Sequence, residues 1–109
     1  MLIDFDVLEK ETFSKLNGGM GELETKKVYI DKKKMMLCTI PVGGSIGYHK
    51  HEDSAEIFYV VSGSGKVLCN GDTEELRAGV CHYCPRFASH GLENTSEEEA
   101  LVLFTVVIE

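Results

Sequence analysis

From Lys26 to the C-terminus, short runs rich in Val, Ile, Leu, Tyr and Phe are separated by Gly, Asn and Asp, the pattern of short β-strands joined by turns. The runs predict strands over Lys26–Ile30, Lys34–Ile40, Ser45–Tyr48, Ile57–Ser62, Gly65–Asn70, Glu74–Arg77, Val80–Cys84, Ser89–Asn94 and Ala100–Ile108. Ser62-Gly63-Ser64-Gly65 reads as a tight hairpin connection, and Asn70-Gly71-Asp72 as a second one of the type that favours positive φ. Pro41 and Pro85 fall at strand ends, where a missing N–H does little harm. So many short strands, closely spaced, predict an all-β antiparallel sandwich or barrel.

Two segments depart from this alternation. Before Gly18-Gly19-Met20-Gly21, the residues Val7, Leu8, Phe13 and Leu16 suggest a helical turn or two. At the other end, Ala100 to Ile108 is nearly all apolar, which suits a strand buried on both faces or one shared with a second subunit. The latter option predicts a homodimer.

Length and charge narrow the function. The chain of 109 residues is the size of one domain, taken as residues 1–109. Its 18 acidic and 11 basic residues give a formal charge of −7, which argues against nucleic-acid binding. Lys32-Lys33-Lys34, the local exception, reads as a solvated turn between two strands. No apolar stretch is long enough to span a membrane, and the acidic start from Asp4 is unlike a secretory signal. The expectation is a cytoplasmic protein. In that compartment Cys38, Cys69, Cys81 and Cys84 are free thiols. Cys81 and Cys84 lie three apart on a strand, so they point to opposite faces and make a poor dithiol or zinc pair.

The chemistry gathers around the histidines. His49 and His51 are two apart, so an extended strand sends both side chains to one face and Lys50 to the other. Glu56 opens the next strand after the polar turn Glu52-Asp53-Ser54-Ala55, and His90 comes much later, after Pro85-Arg86-Phe87-Ala88. Glu52 could stand in for Glu56, but beside His51 it would face away. Phe58, Val60, Leu92 and Leu103 read as core, and His82 as an ordinary strand residue.

These spacings resemble the cupin family. Its first motif is met by Gly43, His49-Lys50-His51, Glu56 and Gly63; its second by Gly79, Pro85, His90 and Asn94. Phe87 stands where the family usually has Gly. The motifs span residues 43–63 and 79–94, about half the chain. The resemblance implies a small jelly-roll β-barrel, the double-stranded β-helix, with His49, His51, Glu56 and His90 as metal ligands inside it.

Three imidazoles and a carboxylate suit a divalent first-row metal: Mn, Fe, Ni, Co or Zn. On an octahedral ion they leave two positions open, unlike a closed, Cys-rich structural zinc site. The ligand set therefore favours catalysis over stapling, and the resemblance implies a metal-dependent enzyme acting on a small organic acid or sugar-derived metabolite by decarboxylase, dioxygenase or isomerase chemistry. The alternative is a non-catalytic cupin that binds or senses a small ligand. Tyr48 and Tyr59 are the candidate catalytic groups, and Arg86 a candidate for an anionic substrate.

Overall fold

A computed structural model describes residues 1–109 and contains ten strands. They are β1 (Glu11–Ser14), β2 (Glu22–Ile30), β3 (Lys33–Ile40), β4 (Ser45–Lys50), β5 (Ala55–Ser62), β6 (Ser64–Cys69), β7 (Asp72–Arg77), β8 (Cys81–Cys84), β9 (Ser89–Asn94) and β10 (Leu101–Ile108). A six-stranded antiparallel sheet runs β1-β2-β3-β10-β5-β8, and a four-stranded one runs β4-β9-β6-β7. The two sheets face each other as an all-β jelly roll, with alternate side chains of each strand filling the space between. Leu23, Ile40, Phe58, Val67, Leu92 and Leu103 belong to that core. No helix is long and apolar enough to cross a membrane.

Three expectations need correcting. The N-terminal segment is not a helical turn or two throughout. It has short 3-10 turns at Phe5–Val7 and Leu16–Gly18, and between them Phe13 lies in β1, opposite Leu23 of β2. The edge of a sheet supplies backbone partners that local sequence cannot reveal. The Ser62–Gly65 connection is not a hairpin: β5 and β6 belong to different sheets, and the chain turns the corner at Gly63, whose φ is +91°. Gly is needed there, since an added Cβ would sit 2.5 Å from the Ala100 carbonyl oxygen. Finally, β10 is not fully buried on both faces. Leu101, Leu103 and Thr105 are buried, whereas Val102, Phe104 and Val106 on the outer face are half-buried.

The Asn70-Gly71 turn does join a true hairpin, β6 to β7, and both residues have positive φ. Asp31 and Lys32 do the same between β2 and β3 with no glycine. Of the lysine run, only Lys32 is in the turn. Lys34 lies inside β3, opposite Tyr29 and Val107, and is half-buried.

Asn94, the last residue of the second motif, closes the barrel. Its buried amide donates to the carbonyls of Ile40, Pro41 and Glu99, and its oxygen accepts from the Ser96 N–H. Every polar atom of the side chain is thereby used in tying β3, β9 and the segment before β10 together.

Candidate metal centre

His49 on β4 pairs in register with His90 on β9, and Glu56 enters from β5 on the opposite sheet. His51 follows the end of β4, where its N–H donates to Ala88 and its carbonyl accepts from Phe87. That pair of backbone bonds ties the His-x-His segment to the turn before His90. The four side chains therefore meet between the sheets, although they come from three strands and one loop.

Their donor atoms converge. Nε2 of His51 lies 3.2 Å from Nε2 of His49, 2.9 Å from Nε2 of His90 and 3.1 Å from Oε1 of Glu56. Nε2 of His90 lies 2.9 Å from the same carboxylate oxygen. One ring nitrogen carries at most one proton, so His51 cannot satisfy three such neighbours by hydrogen bonding. A cation held between them would satisfy all of them at once. The observed spacings are of the order expected between donors that would share one ion at bonds of about 2.0–2.2 Å.

The far side of each ring is also fixed. Nδ1 of His49 lies 2.7 Å from the Gly47 carbonyl, which can only accept, so that nitrogen carries the proton and Nε2 presents its lone pair. Nδ1 of His51 faces the Ser54 hydroxyl at 3.2 Å. Behind His90 runs a chain: Nδ1 of His90 lies 3.1 Å from Nε2 of His82, and Nδ1 of His82 lies 3.1 Å from the Glu74 carboxylate. Because the carboxylate accepts, His82 donates to it through Nδ1 and accepts from His90 through Nε2. With Nδ1 so occupied, His90 would turn a bare Nε2 to a bound cation; without one, Nε2 carries the proton that it donates to Glu56.

Glu56 is held from its other side as well, since the Thr105 hydroxyl donates to Oε2 at 2.7 Å. Burial pushes its carboxyl upward, but the hydrogen bonds from His51, His90 and Thr105 outweigh that and hold it well below the usual carboxylate range. Burial lowers His49 below the ordinary imidazole value, against a smaller opposing effect from the Gly47 hydrogen bond. His82 is lowered by burial first and by His90 second. These effects favour a neutral His49 beside an ionised Glu56, the protonation states that metal binding requires of these two groups.

His82 is the residue that sequence reasoning missed. It is 4% exposed and stands directly behind His90, not an ordinary strand position. Its signal was parity: His82 and Cys84 share the inward face of β8 with no apolar reason for a histidine there. Cys69 and Cys84 approach it closely enough to make a second group of donor atoms, all within 4.8 Å of one another. Both nitrogens of His82 are already committed, however, so that group has no free imidazole lone pair. Burial and the neighbouring Cys69 push the Cys84 thiol up to about 12. Cys81 is exposed on the other face, as the strand parity predicts.

The candidate catalytic tyrosines are not brought to this site. Phe58 and Val60 point inward, so Tyr59 between them points outward and is 45% exposed. Tyr48 alternates with His49 in the same way and lines a separate, open cavity on the outer face of the four-stranded sheet, with Leu68, Thr73 and Gly91. Arg86 is exposed on the turn. Glu52 is exposed and Glu56 is inside, as expected. The cavity at the candidate metal centre has a volume of about 190 Å³, and beyond the four donors it is lined by Asn17, Lys34, Met36, Ile46, Leu92 and Val107.

A barrel of this topology with an inward-facing group of three histidines and a glutamate defines a cupin. The chain belongs to the cupin family: the Cupin_2 (cupin domain) model matches residues 36–107. Among curated proteins it is similar to the oxalate-binding protein of Thermotoga maritima, at 29% identity over 99% of this chain and 94% of the relative. It is also similar to the pectin degradation protein KdgF of Dickeya dadantii, at 32% identity over 62% of this chain and 63% of that protein. A Thermotoga maritima crystal structure described as a predicted oxalate decarboxylase superimposes with a TM-score of 0.92, at 30% identity over 99% of this chain and 98% of the other.

Proposed function

We propose that this cupin holds a divalent first-row metal through His49, His51, Glu56 and His90, and that it acts as a metal-dependent enzyme on a small organic acid. The convergence of the four donor atoms on one point carries this reading. The cation would supply Lewis-acid polarisation of a carboxylate or carbonyl bound at its open positions. The protein's own contributions are separate from that. Gly47, Ser54, His82 and Thr105 orient the ligands, and Met36, Ile46, Leu92 and Val107 give the cavity an apolar wall.

Size limits the substrate. A cavity of about 190 Å³ is below the range of about 300–1,000 Å³ usual for drug-sized ligands, so it suits a molecule of a few heavy atoms. The oxalate named in the description of the Thermotoga maritima relative is of that size and chelates through adjacent oxygens.

A second reading, a non-catalytic binder of the same kind of acid, is favoured by one observation. Apart from the ligands, Lys34 is the sole titratable side chain lining the cavity, so no carboxylate, phenol or imidazole stands ready for proton transfer. Metal content of protein purified without chelators, compared with His49→Ala and His90→Ala, tests the site. A wild type that carries no metal and takes up none on titration would defeat both readings. Turnover of oxalate and related hydroxy-, oxo- and sugar acids, with and without dioxygen, then separates enzyme from binder.

The proposal extends to a cytoplasmic homodimer. Ile57, Tyr59 and Val61 on β5 and Tyr83 on β8 form an exposed apolar patch on the outer sheet face, from 40% to 59% exposed, which a second copy would cover. Sedimentation at micromolar concentration should give twice the chain mass; a monomer would count against it.

A further inference from the structure

Lys34 is the feature of the cavity that the ligand set does not explain. A lysine in a strand interior is normally either exposed or paired, because its ammonium is costly to desolvate. Here the side chain is half-buried on the inner face of β3, in line with Met36 and Cys38. The lysines that pair do so elsewhere: Lys10 with Glu24, Lys27 with Glu11 and Lys66 with Glu75. Lys34 has neither an ion pair nor a side-chain hydrogen bond, although it lines the same cavity as Glu56.

Asn17 lines the cavity from the other side. Its φ of +54° places it in the left-handed region, and its loop is pressed against Gly47, where an added Cβ would meet the Asn17 carbonyl at 1.8 Å. Asn is among the residues that tolerate this conformation, and the exposed Asn17 side chain makes no hydrogen bond within the chain, so its amide is free to turn to a ligand at the rim.

We propose that Lys34, assisted by Asn17, is the anion-receiving end of the cavity, and that it selects small acids carrying a second negative charge. This rests on the metal reading given above. A divalent cation with one carboxylate ligand leaves the centre positive, and the Lys34 ammonium adds to that, inside a protein whose net charge is −7. A dianion that chelates through two adjacent oxygens neutralises the centre while its remaining oxygens reach Lys34. A chelating monoanion satisfies the metal and offers the lysine one remaining carboxylate oxygen but no second charge. The role is positioning and selection by charge, with no covalent step.

The probes are oxalate, a dianion, and glycolate, which chelates through a carboxylate and a hydroxyl with one charge. Binding of each to Mn²⁺-loaded protein is measured calorimetrically for wild type, Lys34→Met and Lys34→Arg, with metal content and thermal melting recorded for each. Wild type should prefer oxalate. Lys34→Met should lose about 10–100-fold in oxalate affinity, as expected for removing a hydrogen bond to a charged group, with a smaller loss for glycolate and metal content nearly unchanged. Lys34→Arg should recover much of the oxalate affinity. A metal-loaded Lys34→Met that binds oxalate as tightly as wild type overturns the role of Lys34 and leaves the metal reading intact. A wild type that takes up no Mn²⁺ overturns the metal reading, and the selection with it.

Discussion

Nε2 of His82 stands 3.1 Å from Nδ1 of His90, so one buried histidine sets the tautomer of another. His90 can present a bare Nε2 to a cation only while Nδ1 keeps its proton, and His82 is the acceptor that holds it there. Replacing His82 with Phe keeps the aromatic volume beside Phe58 but removes that acceptor. The variant should fold and lose about 10–100-fold in metal affinity, the usual effect of removing such a supporting partner. Competition with a chromophoric chelator measures it, and unchanged affinity would mean that packing alone orients His90.

Acidification should destabilise the metal-free protein in two stages. His49 and His82 have folded-state values below the ordinary 6.5, so the unfolded chain binds protons first and stability falls as the pH drops below about 6.5. Glu56 is also depressed, so its contribution is present above the ordinary carboxylate range and is lost only in stronger acid. Urea midpoints from pH 8 down to pH 2 would follow both stages. A midpoint that rises between pH 7 and pH 5.5 would contradict the assignment.

Phe87 offers a stabilising substitution. Its φ is +72° and its side chain is 66% exposed, so it bears left-handed strain with little burial in return. The strain costs about 1–2 kcal/mol, and glycine's extra chain entropy returns about 0.5–1 kcal/mol of that. Phe87→Gly should therefore raise stability by up to about 1 kcal/mol, read as an increase in Tm, and leave metal content unchanged because the Phe87 N–H to His51 bond survives.

Gly47 allows no side chain. A Cβ would fall 1.8 Å from the Asn17 carbonyl oxygen and 3.0 Å from the Gly19 nitrogen, both rigid backbone. Gly47→Ala should destabilise by about 1–3 kcal/mol and push the 15–19 loop off the cavity rim. Faster hydrogen exchange at the Gly18 and Gly19 amides, which donate to Lys15 and Leu16, is the local readout.

Much of this was legible along the chain. The alternation of β5, Phe58 and Val60 in against Tyr59 out, needs no tertiary information, and it already placed the first two histidines on one face. The same alternation, applied to Tyr48 and Tyr59, would have removed them as catalytic candidates, since each neighbours a residue that must point inward. Lys34 departs from the solvated turn expected of it because its place on the inner face of β3 follows strand parity, which the charge of a three-lysine run masks.

The sequence by itself determined the strand periodicity, the turn chemistry and the spacing of His49, His51, Glu56 and His90, because each depends on backbone geometry over a few residues. Only the tertiary structure decided that Ser62–Gly65 crosses between sheets, that Phe13 finds a strand partner, and that His82, Lys34 and Asn17 surround the centre. Those outcomes depend on which strands pair across long stretches of chain. Pairing is settled by the burial of whole sheet faces, a sum over many residues that no single segment carries.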